Sequence, residues 1–314
     1  MQVHRDIGGL PTFKNAVITI GTFDGVHTGH LQIISQLKKE AELVNGESVI
    51  ITFHPHPRRI IFQQHKYEEG KKINDIQLLN TLEERIVLLG NQGVNHLVII
   101  PFTNEFSEQS AEDYIQKFLV LHFQPHIIIT GYDHRFGKDR KGNYMLLEQF
   151  GERFNYTVKE IPGHVLNNIA ISSTKIREAL LAGDVDTANK FLGYEYSFSG
   201  IVTEGDRIGR TIGYPTANIP PGSIEKLVPA NGVYAVNIKI NSDFYKGMMN
   251  IGVRPTVGGL QKVVEVNIFN FDKDIYGKNV RIYLKKYLRN EQKFKGLNEL
   301  KDQLAKDKLQ AEVI

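Results

Sequence analysis

The chain has no cysteine and no tryptophan among its 314 residues, and only four methionines. The first absence removes disulfides, thiolate-ligated zinc and thiol nucleophiles in one step. Histidine is also missing from a large region: all eleven lie at or before His164. Beyond that point, proton transfer near neutral pH falls to carboxylates or to unusually placed Lys or Tyr side chains. No apolar run approaches the ~18 residues of a membrane span. The opening MQVHRDIGGLPTF lacks a cationic stretch followed by an apolar core, so no secretory signal is expected and the expected compartment is the cytoplasm.

What is present is ordinary in bulk and uneven in detail. The chain is 41% hydrophobic and 23% charged with a formal net charge of +3, which excludes disordered and collagen-like classes. At roughly 150 residues per domain the length predicts two domains. Residues 1–186 sum to −3 and residues 187–314 to +6. Neither imbalance by itself points to nucleic acid or a membrane, and no partner of either kind is expected.

The two halves also differ in pattern. Ala16–Ile20, Ser48–Phe53, His96–Phe102 and His126–Thr130 are short Val/Ile-rich runs that read as strands buried on both faces. Helical periodicity over Leu31–Val44, Ile76–Leu89 and Ala111–His122 separates them, which predicts a parallel, doubly wound sheet. Later, Tyr234–Ile240, Gly247–Gly252, Val263–Asn270 and Val280–Leu288 alternate between turn residues, predicting an antiparallel barrel or sandwich. A closing helix is expected near Leu297–Lys306, with Leu297, Leu300 and Leu304 on one face. The boundary is expected within Ala182–Phe198, giving domains 1–185 and 186–314.

Phosphate chemistry is legible at the strand ends. The first strand runs into Gly21-Thr22-Phe23-Asp24-Gly25-Val26-His27-Thr28-Gly29-His30 and then a helix. Gly21, Gly25 and Gly29 let the backbone approach a bulky anion, and the helix N-terminus favours phosphate. His27 and His30, three apart, share a face there and could stabilise charge on a transferred group and its leaving pyrophosphate. Ser173 or Thr174 can cap a helix at 175–182, with Arg177 in its first turn to fork onto phosphate oxygens. His54, His56, Arg58 and Arg59 form a cluster read equally as an anion or metal site and as turn residues. Residues 137–142 read as a polar, mobile loop.

In the second half, residues 205–218 hold Gly205, Gly209 and Gly213 among Asp, Arg, Pro and Asn, which reads as a loop. No G-x-x-x-x-G-K-[ST] occurs, so a P-loop is excluded. Such a loop is more often a plain barrel connection; the other reading is that backbone amides, Thr216 and Asn218 hold a magnesium-bound phosphate. Glu265, one of thirteen acids in this half, sits inside the apolar stretch Val263–Ile268, where a carboxylate is costly without a task or partner.

Taken together, GTFDGVHTGH, HPHP, GYDHRFG and ISSTKIR resemble, in that order, the adenylyltransferase half of bacterial bifunctional riboflavin kinase/FAD synthetases. GRTIGYPTANI, Asn250–Thr256, Glu265–Ile268 and Tyr276-Gly277 resemble the kinase half. The resemblance implies a Rossmann-like α/β nucleotidylyltransferase domain followed by a β-barrel kinase domain. It implies that His27 and His30 hold ATP phosphates, with Gly21, Phe23, Asp24, Gly25 and Gly29 lining the nucleotide. Asp133 falls on an ATP-contacting position, and Ser173, Thr174 and Arg177 on a phosphate-binding run. In the kinase half Gly209, Gly213 and Pro215 line the nucleotide, Thr216 and Asn218 are Mg²⁺-ATP ligands, and Glu265 is the catalytic carboxylate. His134 stands where Phe is more usual, and Asn267 where His is often found. The implied substrates are riboflavin, FMN, FAD and ATP, with Mg²⁺ in both reactions and a monomer or self-associating oligomer. Two other readings stand beside this one: another small-molecule nucleotidylyltransferase, or a non-catalytic flavin- or RNA-binding protein on the same fold.

Overall fold

The computed structural model describes residues 1–61, 76–131, 134–161, 171–205, 208–256 and 259–314. They form two compact units, Met1–Ser172 and Ser173–Ile314.

The first unit is built on β1 (Gln2–His4), β2 (Val17–Ile20), β3 (Ser48–His54), β4 (His96–Pro101), β5 (Ile127–Gly131) and β6 (Thr157–Ile161). All pair in parallel, in the order β1-β4-β3-β2-β5-β6. Alternate residues serve opposite faces. Ile18, Ile20, Val49 and Ile51 join Phe118, Phe123 and Leu147 on one side, while Val17, Ile50, Leu97 and Ile129 join Ile34, Leu37 and Leu89 on the other. The second face is covered by α1 (Thr28–Leu43) and α2 (Leu82–Gly90). The first is covered by α3 (Tyr144–Phe154) and by a helical stretch whose middle, Tyr114–Val120, winds as a π-helix. Burial on both faces is why these strands are nearly uninterrupted Val and Ile.

The chain moves outward from β2 to β3 and β4, then returns beside β2 as β5. Strand order therefore reverses between β2 and β5, where an open α/β sheet binds its ligands.

The second unit begins with α4 (Ser173–Leu181) and α5 (Val185–Leu192). Its sheet holds β7 (Ser197–Ile201), β8 (Ala217–Asn218), β9 (Gly232–Ile240), β10 (Asp243–Thr256), β11 (Gly259–Ile268) and β12 (Asn279–Arg289). Pairing is antiparallel throughout, in the order β7-β12-β9-β10-β11-β8. The sheet curls into a half-barrel, and its two edges meet where Thr203, just past β7, bridges Asn218 of β8. A Cβ on Gly200 would stand 2.2 Å from the Pro220 carbonyl oxygen, so this closure requires glycine there. The closing helix, α6 (Leu297–Glu312), extends past the expected end, and Leu297 is exposed while Leu300 and Leu304 face inward. Packing groups α4 and α5 with the second sheet: Ala230 N–H donates to Leu180 O at 3.0 Å, and Asn189 Nδ2 to Leu284 O at 2.9 Å.

Two candidate active sites

In the first unit, Gly21 to His27 form the turn that joins β2 to α1. Phe23 (φ 48°), Gly25 (φ 89°) and Val26 (φ 37°) all adopt left-handed backbone. For a β-branched residue this is an outlier that costs about 1–3 kcal/mol, and it persists only where the surroundings over-determine it. Those surroundings are visible. Phe23 and Val26 are buried, and the buried Asp24 carboxylate accepts from the backbone N–H groups of Leu79 (3.0 and 3.2 Å) and Asn80 (3.2 Å). Asp24 thus fastens the turn.

His27 is the N-cap of α1, its Nδ1 accepting from the His30 N–H at 3.4 Å. That leaves the ring proton of a neutral His27 on Nε2, as a donor. The two rings stack at 3.7 Å between centroids, and Phe23 lies 5.0 Å from His30. Burial, the neighbouring His27 ring and the Arg85 cation hold His30 well below the usual histidine range. His30 is therefore held as a neutral imidazole at pH 7.

A cavity of about 710 Å³ opens at the same strand ends, bordered by Gly21 and Thr22. One part of its wall is aromatic, Phe53, Phe102, Phe106, Tyr114 and Phe136, and another is charged, with Glu108, Arg135, Lys138 and Arg140. Phe102 and Phe106 meet edge-on at 5.5 Å, and Tyr114 stacks on Phe136 at 5.0 Å. The scattered sequence positions of these rings gave no motif, and sequence reading left the aromatic wall unassigned. His134 stacks on Phe136 at 5.8 Å, so the imidazole takes a packing position. Residues 137–142 form a turn, with Phe136 and Gly142 exchanging backbone hydrogen bonds and Lys138 paired with Glu108 at 2.5 Å. Asp133 lies outside the described residues. Among the described residues His54, His56 and their neighbours make no metal cluster.

The helix carrying the second phosphate run starts earlier than expected. Ser173 and Thr174 stand inside the first turn of α4 rather than ahead of it, with Arg177 half-buried one turn on.

In the second unit the candidate side chains Asn250 and Glu265 stand inside long strands, and Asn218 ends the two-residue β8. Register places Asn250 of β10 opposite Glu265 of β11, and Glu265 opposite Asn218 of β8. One row across three strands therefore reads amide, carboxylate, amide. All three border a cavity of about 280 Å³, shared with Gly205, Gly209, Thr216, Leu300 and Leu304. A second cavity of about 510 Å³, with Arg210, Asp272 and Asp274 in its wall, shares Thr216 and Tyr276 with the first.

The loop 205–218 is partly helical: Ile208–Thr211 make one turn, which Gly213 (φ 84°) ends. Tyr214 N–H returns to Gly209 O at 2.8 Å, and a Cβ on Gly209 would stand 2.1 Å from the Tyr214 oxygen. Asn267 Nδ2 donates to Pro215 O at 2.7 Å and pins the turn to β11, on the face that carries Glu265. Sequence reading gave Asn267 no role. Asn218 Oδ1 is buried with no hydrogen-bond partner, and a Cβ on Gly205 would come within 1.7 Å of its Nδ2.

A family model described as FAD synthetase matches residues 10–175, and one described as riboflavin kinase matches residues 192–314. The bifunctional riboflavin kinase/FMN adenylyltransferase of Buchnera aphidicola (subspecies Schizaphis graminum) is 39% identical, over 98% of this chain and 96% of its own. The chain belongs to the bifunctional riboflavin kinase/FMN adenylyltransferase family. Other members are 34% identical in Escherichia coli K12 (95% and 92% of the two chains) and 35% in Bacillus subtilis (94% and 91%). A crystal structure titled a macrolide-efflux protein, from Streptococcus pneumoniae, superposes with TM-score 0.86 at 30% identity, over 99% and 98% of the two chains. Among the described residues, no helix is long and apolar enough to cross a membrane.

Within this family the parallel sheet corresponds to the FAD synthetase model and the half-barrel to the riboflavin kinase model. The structure brings His27, His30, Phe23 and the three turn glycines together at the strand-order reversal. It brings Glu265, Asn218, Thr216 and Gly209 to one cavity wall, with Pro215 tied to the same strand.

Proposed function

We propose that the half-barrel phosphorylates riboflavin to FMN and that the parallel-sheet domain adenylylates FMN to FAD, each using ATP at the residues assembled above. Residues 1–185 would carry the adenylyl transfer and 186–314 the phosphorylation, the 173–177 run being assigned to the first reaction.

In the kinase step the terminal ribityl hydroxyl attacks the γ-phosphorus, and the bond from γ-phosphorus to the bridging oxygen of ADP breaks. Glu265 accepts the hydroxyl proton, with Asn250 and Asn218 flanking it across the strands. The smaller cavity, with Glu265 and the apolar Leu300 and Leu304, suits the flavin. The neighbouring cavity suits the nucleotide, and Thr216 stands at the wall they share. Gly209, Gly213 and Pro215 shape the turn between them. The residues fit a magnesium ion: Asn218 offers a buried unpartnered oxygen, with Thr216 two residues away on the same wall. No described cluster of three His, Asp or Glu could cage a metal alone, which suits an ion held by one or two protein oxygens plus phosphates. When bound there, Mg²⁺ would neutralise charge on the phosphate oxygens.

In the adenylyl step a phosphate oxygen of FMN attacks the α-phosphorus of ATP, and the bond to pyrophosphate breaks. No proton transfer is needed, so positioning and charge stabilisation suffice. His27 donates through Nε2, and Gly21, Gly25 and Gly29 admit the triphosphate close to the backbone. Asp24 keeps the turn in shape, and Ser173, Thr174 and Arg177 are proposed as phosphate contacts from the motif alone. Asp133 is proposed as an ATP contact from the motif alone. The aromatic cavity beside Gly21 suits the isoalloxazine ring of FMN. With ATP as co-substrate of both steps, a cytoplasmic enzyme is proposed.

The observation that carries this reading is the Asn250–Glu265–Asn218 row, a carboxylate in register with an unsatisfied amide oxygen at a cavity wall. Incubating the purified protein with riboflavin, Mg²⁺ and ATP, then separating flavins by chromatography, tests it directly. Sequential appearance of FMN and FAD is expected; no phosphorylated flavin would refute it.

A further inference from the structure

Arg85, in the first turn of α2, is 3% exposed, yet no motif set it apart. The helix start beneath it is fixed by a capping box, in which Thr81 Oγ1 accepts from Glu84 N–H and the Glu84 carboxylate from Thr81 N–H. Its Nη1 donates to the Thr22 carbonyl and, at 3.2 Å, to Thr52 Oγ1. Nη2 reaches the Phe53 carbonyl at 3.4 Å. Thr52 Oγ1 itself donates to Thr22 O at 3.2 Å. One guanidinium thus joins the C-terminal ends of β2 and β3 to α2. The Nε–H has no partner.

Two features make this more than core packing. Thr22 and Asp24 flank Phe23, whose left-handed backbone must be held from outside. Asp24 is tied to Leu79 and Asn80, and Thr22 is tied to Arg85, so both neighbours of the strained residue are fastened to the segment leading into α2. The second feature is charge. Among the described residues only neutral acceptors bond the guanidinium, with Asp24 and Glu83 acting through space. The groups facing His30 are His27, Arg85 and Phe23.

We propose that Arg85 is a positioning residue for adenylyl transfer, holding the turn that carries His27 and His30 through the Thr22 and Phe53 carbonyls and setting a buried positive charge behind that pair. The proposal rests on the reading of His27 and His30 as phosphate ligands. A cation beside a histidine disfavours the imidazolium, in keeping with the lowered titration of His30. Removing the charge lets His30 protonate at higher pH, and activity that needs the neutral ring is then lost at higher pH.

The test uses the full chain with Arg85→Lys, Arg85→Met and His30→Asn. FMN adenylylation is followed from pH 5.5 to 8.5, and riboflavin phosphorylation in the same preparations is the internal control. Arg85→Lys keeps the charge but loses the two-armed fork. Its adenylylation kcat should fall about tenfold to a hundredfold, the scale of a small misplacement, with an unchanged acid limb. Arg85→Met should lose at least as much, and its acid limb should move to higher pH. Proton NMR of the histidine rings, assigned with His30→Asn, should show His30 titrating at higher pH than in the wild type in Arg85→Met only, burial and the His27 ring still holding it below the usual range. Kinase turnover should stay level in every variant. Wild-type adenylylation in Arg85→Lys, or an unmoved acid limb in a folded Arg85→Met, overturns the proposal. If Arg85→Met does not fold, Arg85→Lys alone decides. Should His30→Asn adenylylate normally, the histidine reading itself fails. If His30→Asn is slow and Arg85→Lys is not, only the role of Arg85 falls.

Discussion

On the proposed reading, the parallel sheet presents its phosphate chemistry from a turn at the strand ends, whereas the half-barrel presents its catalytic carboxylate from the middle of a strand. In the first, two imidazoles sit where strand order reverses, on a backbone wound through three left-handed residues. In the second, a carboxylate sits in register between two amides on unstrained β-structure. The difference follows the chemistry. On the proposed reading, adenylyl transfer from ATP to the FMN phosphate needs stabilised charge and no base, so a turn that offers imidazole donors would serve it. Phosphorylating an alcohol needs a proton acceptor as well, and a strand in a curled sheet holds a carboxylate with little freedom to reorient.

Breaking one half should therefore leave the other intact. The largest effect is expected from Glu265→Gln: steady-state riboflavin phosphorylation should fall about 10²–10⁴-fold, while FMN adenylylation stays near wild type. Next, His27→Ala combined with His30→Ala should slow FAD formation by about 10²–10³-fold and make FMN accumulate, as flavin chromatography would show. Asn218→Ala should sharpen the contrast more gently. A Mg²⁺ titration of kinase activity should shift to about tenfold higher concentration, the adenylyltransferase titration staying put. Smallest of all, Gly213→Ala meets no atom within 4 Å, so its cost is the left-handed backbone alone. Urea unfolding of the half-barrel should lose about 1–2 kcal/mol.

The same contrast explains what could be read from sequence. Buried parallel strands are continuous Val/Ile runs, so Ser48–His54 and His96–Pro101 were found within a residue or two. The parallel edges β1 and β6 escaped: β1 is three residues long and half-exposed, and Thr157-Val158-Lys159-Glu160-Ile161 is mostly polar. The helix Tyr144–Phe154 was also not anticipated. His27, His30 and Glu265 were legible because their local spacing carries the chemistry. Arg85, Asn250 and the aromatic wall were not, because each acquires its role from register or packing between distant segments. Ser173 and Thr174 were placed before their helix and instead lie in it, an error of the kind expected at helix ends.

The central claim is that two independent phosphate sites share one chain, and mixing the two broken enzymes tests it most directly. Glu265→Gln and the His27→Ala/His30→Ala variant, each slow to make FAD from riboflavin on its own, are combined with riboflavin, Mg²⁺ and ATP. The account predicts that FMN released by the histidine variant is adenylylated by the other and FAD appears. A folded mixture that yields no FAD, or a single variant that has lost both activities, would contradict it.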